Sequence, residues 1–162
     1  MTLVVTDASS GLYNWLKTHA NAASLRALIY NGATNVLEEG DLTPTMLEDD
    51  FRARNTASER SKVLAVTVHD AGERNGICNV TVRIWDRQEG YRNIRAWRDL
   101  FLSAFYDSEE ANTFSLTAVN GKKRGLLFLE YAGRTGHFRP NNFVADVEAI
   151  ALSGKLMVED DD

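Results

Sequence analysis

The sequence predicts an α+β fold: a mainly antiparallel sheet with two helices packed on one face, plus a long irregular arm over residues 31–61. Three observations carry this. From Ile77 to Phe105, an alternating stretch is followed by one of helical period. Cys78, Val80, Val82 and Ile84 face one way and Asn79, Thr81 and Arg83 the other, as in a half-buried strand. Ile94, Trp97, Phe101, Ala104 and Phe105 then recur at helical spacing, with Arg92, Arg95, Arg98 and Asp99 opposite, so laying this helix on the sheet buries both apolar faces. Two Asn-Gly pairs, Asn75-Gly76 and Asn120-Gly121, stand between alternating runs and signal tight hairpins, which join antiparallel strands.

Taken in order, the first element after Met1 to Asp7 reads as a helix. Asp7, Ser9 and Ser10 are N-cap candidates, and Leu12, Trp15, Leu16 and His19 share a face. Residues 21–24 end it, and the short apolar run Leu25 to Tyr30 reads as a strand. The arm holds an acidic run (Glu38, Glu39, Asp41, Glu48, Asp49, Asp50) and then a basic one (Arg52, Arg54, Arg60, Lys62). Within it, Thr43-Pro44 suits the start of a short helix, with Thr43 as N-cap and Pro44 at the first helical position. About thirty residues of little regularity point to a functional arm or a disordered segment, with a surface loop as the alternative. Leu64, Val66 and Val68 alternate in the hairpin partner of the strand that starts at Ile77, and 107–112 ends the long helix. Thr113 to Val119 and Arg124 to Tyr131 form the second hairpin. Phe143 to Leu152 is the last strand, with Phe143, Ala145, Val147 and Ala149 inward and Asp146 and Glu148 outward. Residues 1–158 read as one domain and 159–162 as a disordered acidic tail.

With 162 residues, the chain is long enough to bury roughly 70% of its unfolded surface without disulfide staples. Hydrophobic residues make up 44% and charged residues 25%, an ordinary globular balance. The net charge of −5 argues against a general basic footprint for nucleic acid. The single cysteine, Cys78, falls on the apolar side of its strand and reads as a small hydrophobe. No stretch has the length and apolarity of a membrane span, and the first residues lack the pattern of a signal peptide. A soluble intracellular product is the expectation, compatible with later incorporation into a larger particle.

Signatures of catalysis are weak. His19, His69 and His137 belong to no metal-ligand spacing, so no metal, cofactor or catalytic residue is expected. His19 reads as packing and His69-Asp70 as a polar strand end. His137 lies with Arg134 and Arg139 in a loop suited to a phosphate or a carboxylate. Gly133-Arg134-Thr135-Gly136 lacks the Lys-Ser/Thr ending of a phosphate loop, and no serine-hydrolase elbow occurs. The charge runs suit contacts between copies, the acidic stretch of one against the basic stretch of the next, across a head-to-tail interface that closes into a ring. The subunit-interface candidates are Glu38, Glu39, Asp41, Asp49, Asp50, Arg52, Arg54, Arg60, Arg134 and Arg139.

Val80-Thr81-Val82-Arg83-Ile84-Trp85-Asp86, then Gly90-Tyr91-Arg92-Asn93-Ile94, then an amphipathic helix, a hairpin and a final strand resemble the tail terminator and tail completion proteins of long-tailed bacteriophages. The resemblance covers Ser9 to Leu152 in outline. It implies a non-enzymatic virion protein of the tail and neck, made in the host cytoplasm. Such a protein assembles as a ring, commonly a homohexamer, that caps the tail-tube protein and joins it to the head connector. DNA would pass through the lumen without specific binding, and an acidic chain suits such a conduit because a basic lumen would hold the phosphates. The arm is larger than in compact members, which bears on the position within the neck. The competing readings are a small hydrolase-like enzyme using His69, Asp70 or the His137 loop, and a monomeric α+β binding module.

Overall fold

The computed structural model describes residues 3–4, 8–74, 77–87, 91–106, 113–118, 123–140 and 145–160. Both Asn-Gly pairs, Phe143, the stretch 107–112 and residues 161–162 lie outside them. The elements are β1 (Leu3–Val4), α1 (Ala8–Thr18), α2 (Ala23–Ala27), β2 (Val36–Glu38), α3 (Pro44–Ala53), α4 (Ala57–Arg60), β3 (Ala65–Arg74), β4 (Ile77–Asp86), α5 (Arg92–Tyr106), β5 (Thr113–Ala118), β6 (Lys123–Arg134) and β7 (Asp146–Asp160). Short 3-10 turns span Ala20–Ala22 and Gly32–Asn35. The strands form one seven-stranded sheet in the order β1-β5-β6-β7-β4-β3-β2. The α+β class expected from sequence is what the chain adopts. The sheet is mixed rather than purely antiparallel, because β2 runs parallel to β3.

The strand and the helix read between Ile77 and Phe105 are present as β4 and α5. Val82 and Ile84 are buried with Trp97, Phe101 and Phe105 of α5, and with Leu12, Trp15 and Leu16 of α1 and Leu25 of α2. The Trp97 and Phe101 rings lie 5.3 Å apart, and Trp97 Nε1 donates to the Leu25 carbonyl at 3.1 Å, which ties α5 to α2. The run expected as a strand at Leu25 to Tyr30 is therefore partly helix. Its strand character survives only as a bridge between Ile29 and Val63.

Register assigns the faces. Ile84 pairs with Glu148 and Val82 with Ile150, so Glu148, Ile150 and Leu152 look toward α1 and α5. Trp85 pairs with Val147, and these two, with Ala65, meet Leu47 of α3 on the opposite face. Thus α3 covers part of the second face, beyond the two helices on one face expected from sequence. Val147 and Ala149 are buried as expected, but Glu148 is not outward: it is fully buried on the α5 side, where arginines meet it.

The arm is not irregular. Asn31 to Ser61 folds into a 3-10 turn, β2, α3 and α4. Thr43 caps α3 by accepting from Met46 N, with Pro44 at the first turn, as its sequence indicated. Thr56 and Glu59 form a reciprocal capping box on α4. Buried Asn35 donates to the Leu64 carbonyl at 2.8 Å and to Asp50 Oδ2 at 2.9 Å. The anchors are mostly polar, which is why apolar periodicity did not announce them. The acidic tail is corrected in part as well, since Glu159 and Asp160 extend β7 and pair with Arg124 and Lys123 of β6.

Candidate functional site

The end of β4 delivers Asp86 into the interior, 1% exposed. Three donors meet it: Arg54 Nη1 at 2.6 Å, Asn93 Nδ2 at 2.8 Å and the Arg87 backbone N–H at 2.7 Å. Arg54 follows α3, Asn93 lies in the first turn of α5, and Arg87 follows β4, so one carboxylate joins three parts of the chain. Arg54 also donates to the carbonyls of Lys62 and Arg87, and Asn93 to those of Arg60 and Lys62. Burial pushes the Asp86 carboxyl up from its usual range, against the opposing pull of Arg54.

Above this clasp lies an open cleft of about 420 Å³ lined by Phe51, Arg52, Arg54, Asn55, Arg60 and Arg87. Glu48 bridges Arg52 at 2.9 Å and Arg87 at 3.2 Å. The Arg87 guanidinium stands over the Phe51 ring, 4.3 Å from its centroid, a cation–π arrangement. The accessible planar guanidinium groups of Arg52, Arg60 and Arg87 around one concavity suit bidentate contacts to carboxylates or phosphates.

A second clasp surrounds Glu148. Its Oε1 accepts from Arg98 Nη1 at 3.1 Å and from Arg134 Nη1 at 2.8 Å. His137 Nε2 stands 3.5 Å from Oε2, and its ring stacks on Tyr91 at 3.9 Å. Hydrogen bonds to Asp99 and Glu148 hold the Arg98 guanidinium above its usual value, outweighing the burial that would lower it. The loop around His137 is thus partly committed to an internal carboxylate. Elsewhere, His19 Nδ1 accepts from Asn21 N and its ring stacks on Trp15, which fits a packing role. His69 Nε2 bonds Thr67 Oγ1 at 2.7 Å, and Thr67 in turn accepts from Trp85 Nε1. Asp70 instead accepts from Gly72 N, so His69 and Asp70 do not form the polar pair their adjacency suggested. Among the described residues no cluster of His, Cys, Asp and Glu has the form of a metal site.

The interface candidates sort by exposure. Glu38, Glu39 and Asp41 stand exposed on a turn after β2, and Asp49 is exposed on α3. Asp50 is engaged by Asn35. Arg52 and Arg60 are exposed at the cleft, whereas Arg54 is buried in the Asp86 clasp and offers no outer handle. Arg134 reaches back to Glu148, and Arg139 Nε pairs with Asp146 at 3.1 Å. Sequence reasoning did not single out Asp86, Arg87, Asn93 or Glu148 as site residues. For Asp86, Arg87 and Glu148 the available signal was a charged residue at the end of, directly after, or within a strand with a buried apolar face; Asn93 carried none. No protein-family model, curated protein or solved structure matches the chain.

Proposed function

We propose that the chain is a structural subunit of a ring, the tail terminator or tail completion ring of a long-tailed bacteriophage, which caps the tail tube and joins it to the head connector. It acts as a building part of the virion and not as an enzyme. The observation carrying the reading is the β4–α5 unit on which the family resemblance rests. Val82, Ile84, Trp97 and Phe101 form the centre of the larger core, and the hairpin β5–β6 and final strand β7 extend the same sheet. The charged faces of 38–60 stay outside that core, which suits contacts to neighbours. In such a ring, DNA passes through the lumen without specific binding.

The test is the mass of the purified protein in solution, by native mass spectrometry and electron microscopy, alone and with a tail-tube protein. A closed ring that docks on the tube end is the expected result. A protein that stays monomeric at every concentration and leaves tubes uncapped overturns the reading.

A further inference from the structure

The cleft carries more positive charge than its own surroundings neutralise. Arg52 and Arg87 share the single carboxylate of Glu48, and Arg54 is matched by Asp86. Arg60 is exposed and has no ion-pair partner among the described residues. Three accessible guanidinium groups, those of Arg52, Arg60 and Arg87, therefore face the one carboxylate of Glu48, in a chain whose net charge is −5. Arg87 is held in place as well, by the Phe51 ring and by Glu48. A donor so held loses little freedom when an anion arrives.

The complementary feature sits at the other end of α3. The turn Glu38-Glu39-Gly40-Asp41 places three exposed carboxylates on four residues. It is a fixed turn: Asp41 N donates to the Glu38 carbonyl at 3.2 Å, and Glu39 N to the Val68 carbonyl at 3.2 Å. Gly40 takes φ +91°, with open space where a Cβ would stand. Glu38 and Asp41 have no ion-pair partner among the described residues, and Glu39 has only His69, at 3.6 Å. The turn precedes the N-cap Thr43, while the cleft lies at the helix exit around Phe51 to Arg60. The ten residues of α3 span about 15 Å, so a copy does not fill its own cleft with its own turn.

We propose that the arginine cleft of one copy receives the acidic Glu38–Asp41 turn of the next. The contact is heterologous, with different surfaces on the two partners, and repeating it around an axis closes a ring. The inference rests on the ring reading and gives that ring its contact. A chain-encoded carboxylate is the occupant the structure itself offers, because each copy presents three exposed carboxylates on a hydrogen-bonded turn. Charge complementarity here sets register and approach rate.

A charge swap tests it. Arg60→Glu is one variant, the triple change Glu38→Lys, Glu39→Lys, Asp41→Lys a second, and their combination a third. Native mass spectrometry reads the ring fraction against concentration, with circular dichroism as the folding control. Each half of the swap is expected to raise the concentration needed for assembly by about tenfold or more. The combined variant, and an equimolar mixture of the two halves, are expected to recover assembly in part. Added salt is expected to weaken wild type in the same direction. If wild type forms rings and neither half-swap alters them, the cleft is not the contact, and the ring reading stands without it. If wild type never forms rings, both fall. A fluorescent single-stranded oligonucleotide supplies the remaining arm: binding to wild type that is lost in Arg60→Glu, with no rescue by the combined swap, would make phosphate the occupant and overturn the proposal.

Discussion

Asp86 and Glu148 lie on neighbouring strands, on the same face of the sheet, and α5 reaches both, through Asn93 and Arg98. Each is almost wholly removed from water. Their counter-charges differ. Arg54, which serves Asp86, has a side chain only 4% exposed. Arg98 and Arg134, which serve Glu148, are 15% and 44% exposed. Each of Asp86's carboxylate oxygens accepts a bond, whereas Glu148 Oε2 has no hydrogen-bond partner among the described residues. A buried carboxylate with a buried arginine makes a structural lock, since neither charge can retreat to water alone. One whose arginines stand at the rim makes a looser tether, because those side chains can turn outward when released.

The largest expected effect comes from breaking the lock. Asp86→Ala strands the Arg54 charge in the interior and is expected to cost about 3–5 kcal/mol of stability, measured by urea unfolding. Hydrogen exchange should rise in α3 and α4, which that arginine fastens to the sheet. Glu148→Ala removes an equally buried carboxylate but frees arginines that reach solvent, so a smaller loss of about 1–3 kcal/mol is expected. Equal losses in the two variants would break the comparison. Arg134→Ala leaves Arg98 on Glu148 and should cost under about 1 kcal/mol, in the range of exposed ion pairs.

The smallest effect belongs to His69, which meets burial by shedding its charge. Desolvation first, then the nearby Arg83, lower its pKa from 6.5 against the pull of Glu39. The unfolded chain therefore binds the proton more readily than the folded one. Stability from this group is full above about pH 6.5 and falls as acid takes the pH down toward the lower folded value. Thermal unfolding across that window should slope upward with pH in wild type and flatten in His69→Gln. An unchanged slope would remove His69 from this set of buried groups.

The apolar parts of the fold could be read from the sequence because burial there repeats with the period of the element. Val80, Val82 and Ile84 alternate, and Ile94, Trp97, Phe101 and Phe105 recur by turns of helix, and both series are buried. The Thr43-Pro44 start of α3 was legible from local cap chemistry. The ordering of 31–61 was not, since Asn35 and Arg54 hold it through partners 29 and 32 residues away, and no local pattern encodes such a pair. Glu148 was misassigned for the same reason. A charge within an alternating strand looks outward until the arginines of α5 and β6 are brought over it. In the cleft, Arg52 and Arg60 were visible as a basic run, but their companion Arg87 comes from beyond β4.

The place of β7 in the sheet has a consequence for how the chain is made. β7 lies between β4 and β6, yet it is synthesised after the other described strands. Until it arrives, the ten paired positions of β4 from Ile77 to Asp86 have no neighbour on that side, and β6 is likewise unpaired along that edge. Two long open edges during synthesis are sites for pairing with other chains. Closure then depends on contacts distant in sequence, which form slowly. Within the described sheet, β7 is the strand that joins β6 to β4, so its entry is the step that unites the two parts.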